Sequence, residues 1–250
     1  MTTSQVQEIP FPQKPLWEET IQIIAGATSA DSLRESKAME NMLHFNSLET
    51  RKRYGRAIAT RFKRLDTPAL EGLVDLAQAK FPIATLENIW RALFCITESL
   101  VSKVYLDMIW PREPGSTIHR TDLRSYIESV FPQNSEELSR EVLACLRQVG
   151  YLMSHGKQDF IIVGFANLED SLILATHLLL AQTPRTIKIS EIEANPYWKF
   201  LGYRKFDHVR IGFRSAEARG LIMRYATVDH LEQITTNCSW KDLLGRLTAQ

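Results

Sequence analysis

The segment from Leu86 to Met108 constrains the fold more than any other part of the chain. Ile89, Leu93, Ile96, Leu100, Val104 and Met108 recur every three or four residues, the spacing of one helical face. Nearly every turn carries an apolar residue, which predicts a long central helix covered by neighbours. Pro111 and Pro114, in WPREPG, end it. A chain organised around such an element is expected to be mainly α.

The flanking segments support that class. Leu16 to Ala25 has helical spacing, and Asp31 to His44 reads as a second helix through Leu33, Ala38, Met39, Met42 and Leu43. Asn46 is the expected N-cap of the next, with Glu49 completing a capping box. Tyr54, Ile58, Phe62 and Leu65 form its apolar stripe, and it stops near Pro68. Ala69 to Ala79 restarts a helix with Leu70, Leu73, Val74 and Ala77 inside.

Residues 116 to 164 change character. Thr121 or Asp122 caps a helix carrying Leu123, Tyr126, Ile127 and Val130; Ser135 caps another with Leu138, Val142, Leu146 and Val149, ended by Gly150. YLMS and DFIIVG then read as two strands joined by HGKQ. That order predicts a winged helix-turn-helix-like segment with a short β-hairpin, embedded in a helical bundle. Beyond it, Leu168 to Ala181 is a buried helix, and Ile192 to Leu201 holds Tyr197 and Trp198 against the core. Tyr203 to Gly212 is ambiguous, Ala216 to Ala226 reads as helical, and Thr227 and Asp229 start a further helix. Ser239 caps a final one through Leu247. The expected organisation is an arm over 1–15, a helical domain over 16–114, the winged segment over 115–166 and a helical region over 167–250. No internal repeat or low-complexity tract is visible.

The chain has 250 residues, 44% of them hydrophobic and 24% charged, an ordinary globular balance. Cys95, Cys145 and Cys238 lie far apart among apolar residues; this argues against a disulfide framework and for a reducing, cytoplasmic compartment. The N-terminus lacks the basic start and apolar core of a signal peptide. The greasiest stretch, LILATHLLLA, is half of a membrane span, so no membrane role is expected.

The six histidines include no pair at helical i+3 or i+4 spacing, so no helical metal face is encoded. No nucleophile elbow, P-loop or dinucleotide fingerprint appears. Asp107 reads as a helix-surface charge and His177 as a core residue. The expectation is a protein with no catalytic residues, no metal and no cofactor.

The charge is distributed unevenly although the formal net is only +1. Arg51, Lys52, Arg53, Arg56, Arg61, Lys63 and Arg64 fall within fourteen residues that contain no acid. With the apolar stripe facing inwards, Arg53, Arg56, Lys63 and Arg64 share one side, suited to a phosphate backbone. From Arg185 to Arg224, nine basic residues face four acidic ones, among them Arg204, Lys205, Arg210 and Arg214. In the winged segment Arg140, Arg147 and Lys157 are further candidates, but Glu136, Glu137 and Glu141 oppose close phosphate approach by that helix.

The stretches LHFNSLETRKRYGRAIATRFKRL, LEGLVDLA, LFCITESLVSKVYLDMIW, Gly115 to Tyr126 and LSREVLACLRQVGYLM lie within residues 33 to 165. On these the chain resembles the small BrxA-like component of bacteriophage exclusion (BREX) defence systems. Arg51, Lys52, Arg53 and Arg56 match that family's charged segment; Leu93, Phe94, Thr97 and Tyr105 match its central-helix pattern. The family's Trp-Ser-Glu stretch stands here as Asn134, Ser135 and Glu136, without the tryptophan. The resemblance implies a helical, non-catalytic protein that binds double-stranded DNA alongside other defence components. The competing expectation is an interaction scaffold whose winged helix docks a larger partner without touching DNA.

Overall fold

The computed structural model describes residues 14–132, 135–165 and 169–249. The chain divides into two compact units, one of 1–15 with 98–164 and the other of 16–97 with 165–250. The fold is mainly helical, with short strands in small open sheets. Among the described residues no helix is long and apolar enough to cross a membrane.

The larger unit begins with α1 (Trp17–Gly26), α2 (Ala30–Arg34), α3 (Ser36–Met42), α4 (Leu48–Lys63), α5 (Thr67–Gln78) and α6 (Ile83–Thr97). The helix expected over Asp31 to His44 is two helices, because Glu35 adopts an extended conformation between them. The cap of α4 is Ser47 rather than Asn46; its hydroxyl accepts from Thr50 N at 3.4 Å. Pro68 does not merely end α4. It sits in the first turn of α5, where its missing N–H costs nothing, and Asp66 caps that helix by accepting from Ala69 N at 2.8 Å. Ile58 and Phe62 of α4 are fully buried, and the Phe62 ring lies 5.0 Å from that of Trp90 on α6.

The long helix expected from Leu86 to Met108 is broken. At Glu98 the backbone leaves helical geometry (φ −112°, ψ 80°), so α6 ends at Thr97 and α7 covers Ser99–Val104. A π-helical turn, Tyr105–Ile109, follows, closed by Trp110 N donating to Tyr105 O at 2.8 Å. Apolar periodicity survives both irregularities, which is why it could not reveal them.

The smaller unit continues with β1 (Thr117–His119), α8 (Arg120–Val130), α9 (Ser135–Gln148), β2 (Leu152–His155) and β3 (Asp159–Ile162). Its antiparallel sheet has the order β1-β3-β2. The cap of α8 is His119, whose side chain makes no capping hydrogen bond, rather than Thr121 or Asp122. Ile118, Leu123, Ile127, Val142, Leu146, Phe160 and Ile162 form the core, and the Tyr105 and Tyr151 rings pack 4.0 Å apart.

The larger unit resumes with α10 (Glu169–Leu180), β4 (Thr186–Lys188), α11 (Ile189–Ala194), α12 (Tyr197–Phe200), α13 (Phe206–Ala218), β5 (Arg224–Val228), β6 (Leu231–Thr235) and α14 (Trp240–Thr248). Tyr197 and Trp198 are buried as expected, and Ser239 caps α14 in a capping box with Asp242. Residues 216–226 are not one helix, and no helix begins at Thr227 or Asp229. Arg224 to Val228 pairs with Leu231 to Thr235, and Asp229 and His230 make the two-residue turn with φ 48° and 66°. Both central residues at positive φ describe a primed hairpin turn, here built without glycine.

Candidate nucleic-acid interface

Helix α4 turns Ala57, Ile58, Ala59 and Phe62 inwards and leaves Arg53, Arg56, Lys63 and Arg64 exposed. The eleven residues from Arg53 to Lys63 span about 15 Å along the axis. Arg56 and Lys63 have no hydrogen-bond or ion-pair partner among the described residues. Arg53 lies with its guanidinium carbon 4.8 Å from the Tyr54 ring centroid and donates to the Tyr54 hydroxyl at 3.2 Å, which holds it against the helix. Lys52 pairs loosely with Glu49 at 3.5 Å. Arg64 donates from Nη1 to Thr97 O at 3.1 Å, so part of its fork is engaged in the fold. Arg51 is half-buried, and its Nε is sequestered from solvent without a hydrogen bond.

Arg61 is not a surface charge. It is 1% exposed, with its guanidinium 4.9 Å from the centre of the Phe94 ring. The basic surface of α4 is therefore smaller than the count of cations implies.

The C-terminal candidates separate similarly. Lys205, the N-cap residue of α13, is exposed, and Arg204 is partly buried with Nε out of solvent. Arg210 is committed: Nε donates to Glu232 and Nη1 to Asp207, each at 2.8 Å, over the Phe206 ring. The Arg210 bond, joined by one from the Tyr225 hydroxyl, holds the Glu232 carboxyl below its ordinary pKa. Arg214 is exposed and stacks 5.1 Å from the Tyr225 ring centroid. Sequence reasoning missed two further exposed residues of α13, His208 and Ile211. The signal was the three-residue step from His208 through Ile211 to Arg214, opposite buried Val209, Gly212 and Phe213.

In the smaller unit Arg140 faces two carboxylates, Glu137 at 3.8 Å and Glu141 at 3.6 Å, while Arg124 lies 4.0 Å from Glu136. Arg147 is exposed at the rim of a shallow groove it lines with Ala144, Gln148, Leu152 and Ser154. Lys157 is exposed in the turn between β2 and β3.

Two polar clusters lie apart from these basic residues. Asp107, on the π-helical turn, accepts from Lys103 at 2.8 Å and from the Tyr126 hydroxyl. The lysine bond holds Asp107 low, and burial raises the Tyr126 phenol, which is the wrong direction for a nucleophile. His119 Nδ1 meets Asp159 Oδ1 at 2.5 Å across the β1–β3 pair, in a solvent-exposed position. Among the described residues no group of three histidine, cysteine or acidic side chains is placed to hold a metal, and Cys95, Cys145 and Cys238 are buried free thiols.

His177 lies inside α10, fully buried, with neither ring nitrogen in a well-formed hydrogen bond. Burial pushes its pKa down to about 4, and a contact with the Ala181 backbone offsets this only in part. It is therefore a neutral core residue at physiological pH.

Comparisons with protein-family models, with curated proteins and with solved structures found no match to this chain.

Proposed function

We propose that this chain is a non-catalytic DNA-binding accessory protein of a bacteriophage exclusion (BREX) defence complex. It holds duplex DNA through phosphate contacts and works beside other components of that complex in the cytoplasm. The observation that carries the reading is the solvent face of α4, where Arg53, Arg56 and Lys63 are exposed along an acid-free stretch. Cations spaced along one face neutralise successive phosphates without reading sequence. The family resemblance of residues 33 to 165 supplies the defence context.

The finer fold reading belongs to the same proposal. The order helix, strand, two helices and hairpin over 99–162, with sheet order β1-β3-β2, supports a winged helix-turn-helix. In it α9 takes the place of the groove-reading helix and residues 156–158 form the wing.

One observation favours a second role for that segment. The exposed arginine Arg140 is hemmed by Glu137 and Glu141, so α9 repels phosphate and suits a basic protein surface. In this reading the winged segment docks a larger defence component. Binding of a labelled duplex across a salt series, with Arg53→Glu/Arg56→Glu alongside, tests the principal claim. Salt-sensitive binding that the variant loses supports it. Absence of binding at low salt removes it and leaves the docking role.

A further inference from the structure

Two stretches of the chain repeat one order of elements. Over 99–162 it is α7 with its π-helical turn, β1, α8, α9, β2 and β3; over 169–235 it is α10, β4, α11 with α12, α13, β5 and β6. Both sheets are antiparallel, with the first strand beside the third and the third beside the second, β1-β3-β2 and β4-β6-β5. In each stretch the first helix packs against the third.

The agreement extends to sequence. Thr117-Ile118-His119-Arg120-Thr121-Asp122-Leu123 corresponds to Thr186-Ile187-Lys188-Ile189-Ser190-Glu191-Ile192: threonine, isoleucine, base, any residue, hydroxyl, acid, aliphatic. His119 and Lys188 are the N-caps of α8 and α11, and the aliphatic residues of both motifs are buried. Ile118 pairs with Phe160 and Ile187 with Ile234, each the middle pair of its three-residue ladder, while the second strands differ by one residue: Ser154, four after Gly150, faces Phe160, and Tyr225, five after Gly220, faces Ile234.

The exits of the third helices also coincide. Gly150 (φ 90°) and Gly220 (φ 71°) take the left-handed position, and Tyr151 N and Leu221 N reach back to Leu146 O and Ala216 O, each at 2.9 Å. Counting back from those glycines by 11, 8, 7 and 4, the residues are buried in both: Ser139, Val142, Leu143 and Leu146; Val209, Gly212, Phe213 and Ala216. Counting forward, two buried residues precede an exposed methionine, Met153 or Met223.

The third helices thus hold equivalent places, but their solvent faces differ. That of α9 sets Glu137 and Glu141 about Arg140. That of α13 exposes His208, Ile211 and Arg214 along one side, with Lys205 exposed at its N-cap, and neither Lys205 nor Arg214 has an ion-pair partner among the described residues. Asp207, the acid nearest Lys205 in sequence, is engaged by Arg210; Glu217, three residues from Arg214, makes no ion pair with it, and Glu232, which Arg210 bonds directly, feels Arg214 as a further nearby charge.

We infer that the chain carries two copies of one α–β–α–α–β–β module, and that the second docks duplex DNA through α13, with Lys205 and Arg214 on phosphates. Ile211, 56% exposed between them, lies where a base edge meets the helix, an apolar contact of the kind a thymine methyl accepts. The module is a second DNA contact beyond α4, and the inference rests on the DNA-binding reading proposed above.

The experiment is fluorescence anisotropy of a labelled 20-base-pair duplex with the full chain across a salt series. The variants are Lys205→Glu/Arg214→Glu, Arg53→Glu/Arg56→Glu and a charge-matched control, Lys37→Glu/Lys241→Glu, with thermal melts of each. Two phosphate contacts contribute about 2 to the slope of log affinity against log salt. Lys205→Glu/Arg214→Glu is expected to weaken binding at least tenfold at low salt and flatten the slope by about that amount, with an unchanged melt and an unaffected control. Wild-type binding with Lys205→Glu/Arg214→Glu unchanged, or weakened only as much as the control, overturns this inference and leaves the α4 site standing. Absence of wild-type binding overturns both. If the glutamate pair lowers the melt, Lys205→Gln/Arg214→Gln is judged by the same slope criterion.

Discussion

Arg210 on α13 and Glu232 on β6 are joined by a 2.8 Å hydrogen bond from the guanidinium Nε, which ties the β5–β6 hairpin to the helix. Asp207 takes a second bond from the same side chain. This cation serves the fold before it serves any ligand.

Arg210→Ala should therefore lower stability by about 1 kcal/mol, since both partners remain partly exposed. It should leave the salt dependence of DNA binding close to that of the wild type. Chemical denaturation and the duplex titration check the two halves separately, and a flattened salt slope in Arg210→Ala would return this arginine to the interface.

Arg61 and Arg56 belong to the same helix, but their substitutions should have opposite signatures. Arg61→Ala removes a buried side chain stacked beside Phe94 and should cost roughly 2–5 kcal/mol. Arg56→Ala, on the exposed face, should stay within about 0.5 kcal/mol while weakening DNA binding. Urea melts of both proteins decide this; equal stabilities would contradict the burial of Arg61.

His177 makes stability depend on acid. Its folded pKa of about 4 lies below the ordinary value of 6.5, so between those values the unfolded chain binds the proton and the folded chain does not. The contribution is complete above pH 6.5 and is lost as pH falls towards 4, in total about 3 kcal/mol. His177→Leu should flatten this limb. Melts at pH 7, 5.5 and 4.5 measure it, and parallel curves for the two proteins would rule it out.

Gly202 tests the packing behind α12. Its φ of 103° is unfavourable for a side chain, and an added Cβ would fall 2.6 Å from Cδ2 and 3.1 Å from Cβ of Phe165. Gly202→Ala should destabilise by about 2–4 kcal/mol, read as a lowered denaturation midpoint. The more open Gly245→Ala, with no neighbouring atom within 4 Å and an ordinary helical position, should be neutral or stabilising.

Helices with strong apolar stripes were legible in the sequence, as α1, α5 and α14 illustrate, the last together with its cap Ser239, and so was the β2–β3 hairpin beside a glycine turn. The rest was hidden for physical reasons. β1 and β4 are three residues long, too short for alternation to register. The β5–β6 turn places Asp229 and His230 at positive φ, where glycine is the usual signal. Of the candidate cations, a linear count detected the α4 cluster but could not separate exposed Arg56 from buried Arg61, because the covering ring, Phe94, arrives from another helix. The two-module pattern escaped because its shared residues are spread thinly: a seven-residue motif, one glycine and the burial between them.

The π-helical turn at Tyr105–Ile109 has an evolutionary corollary. Such a turn accommodates one residue more than the α-helical path around it, so chain length can change by one there while both flanks keep their facing. A single-residue deletion within it is absorbed by reversion to α geometry, whereas the same deletion inside α6 rotates everything beyond it by about 100°. Among chains descended from a common ancestor, this turn is where a gap of one residue is expected to be accepted.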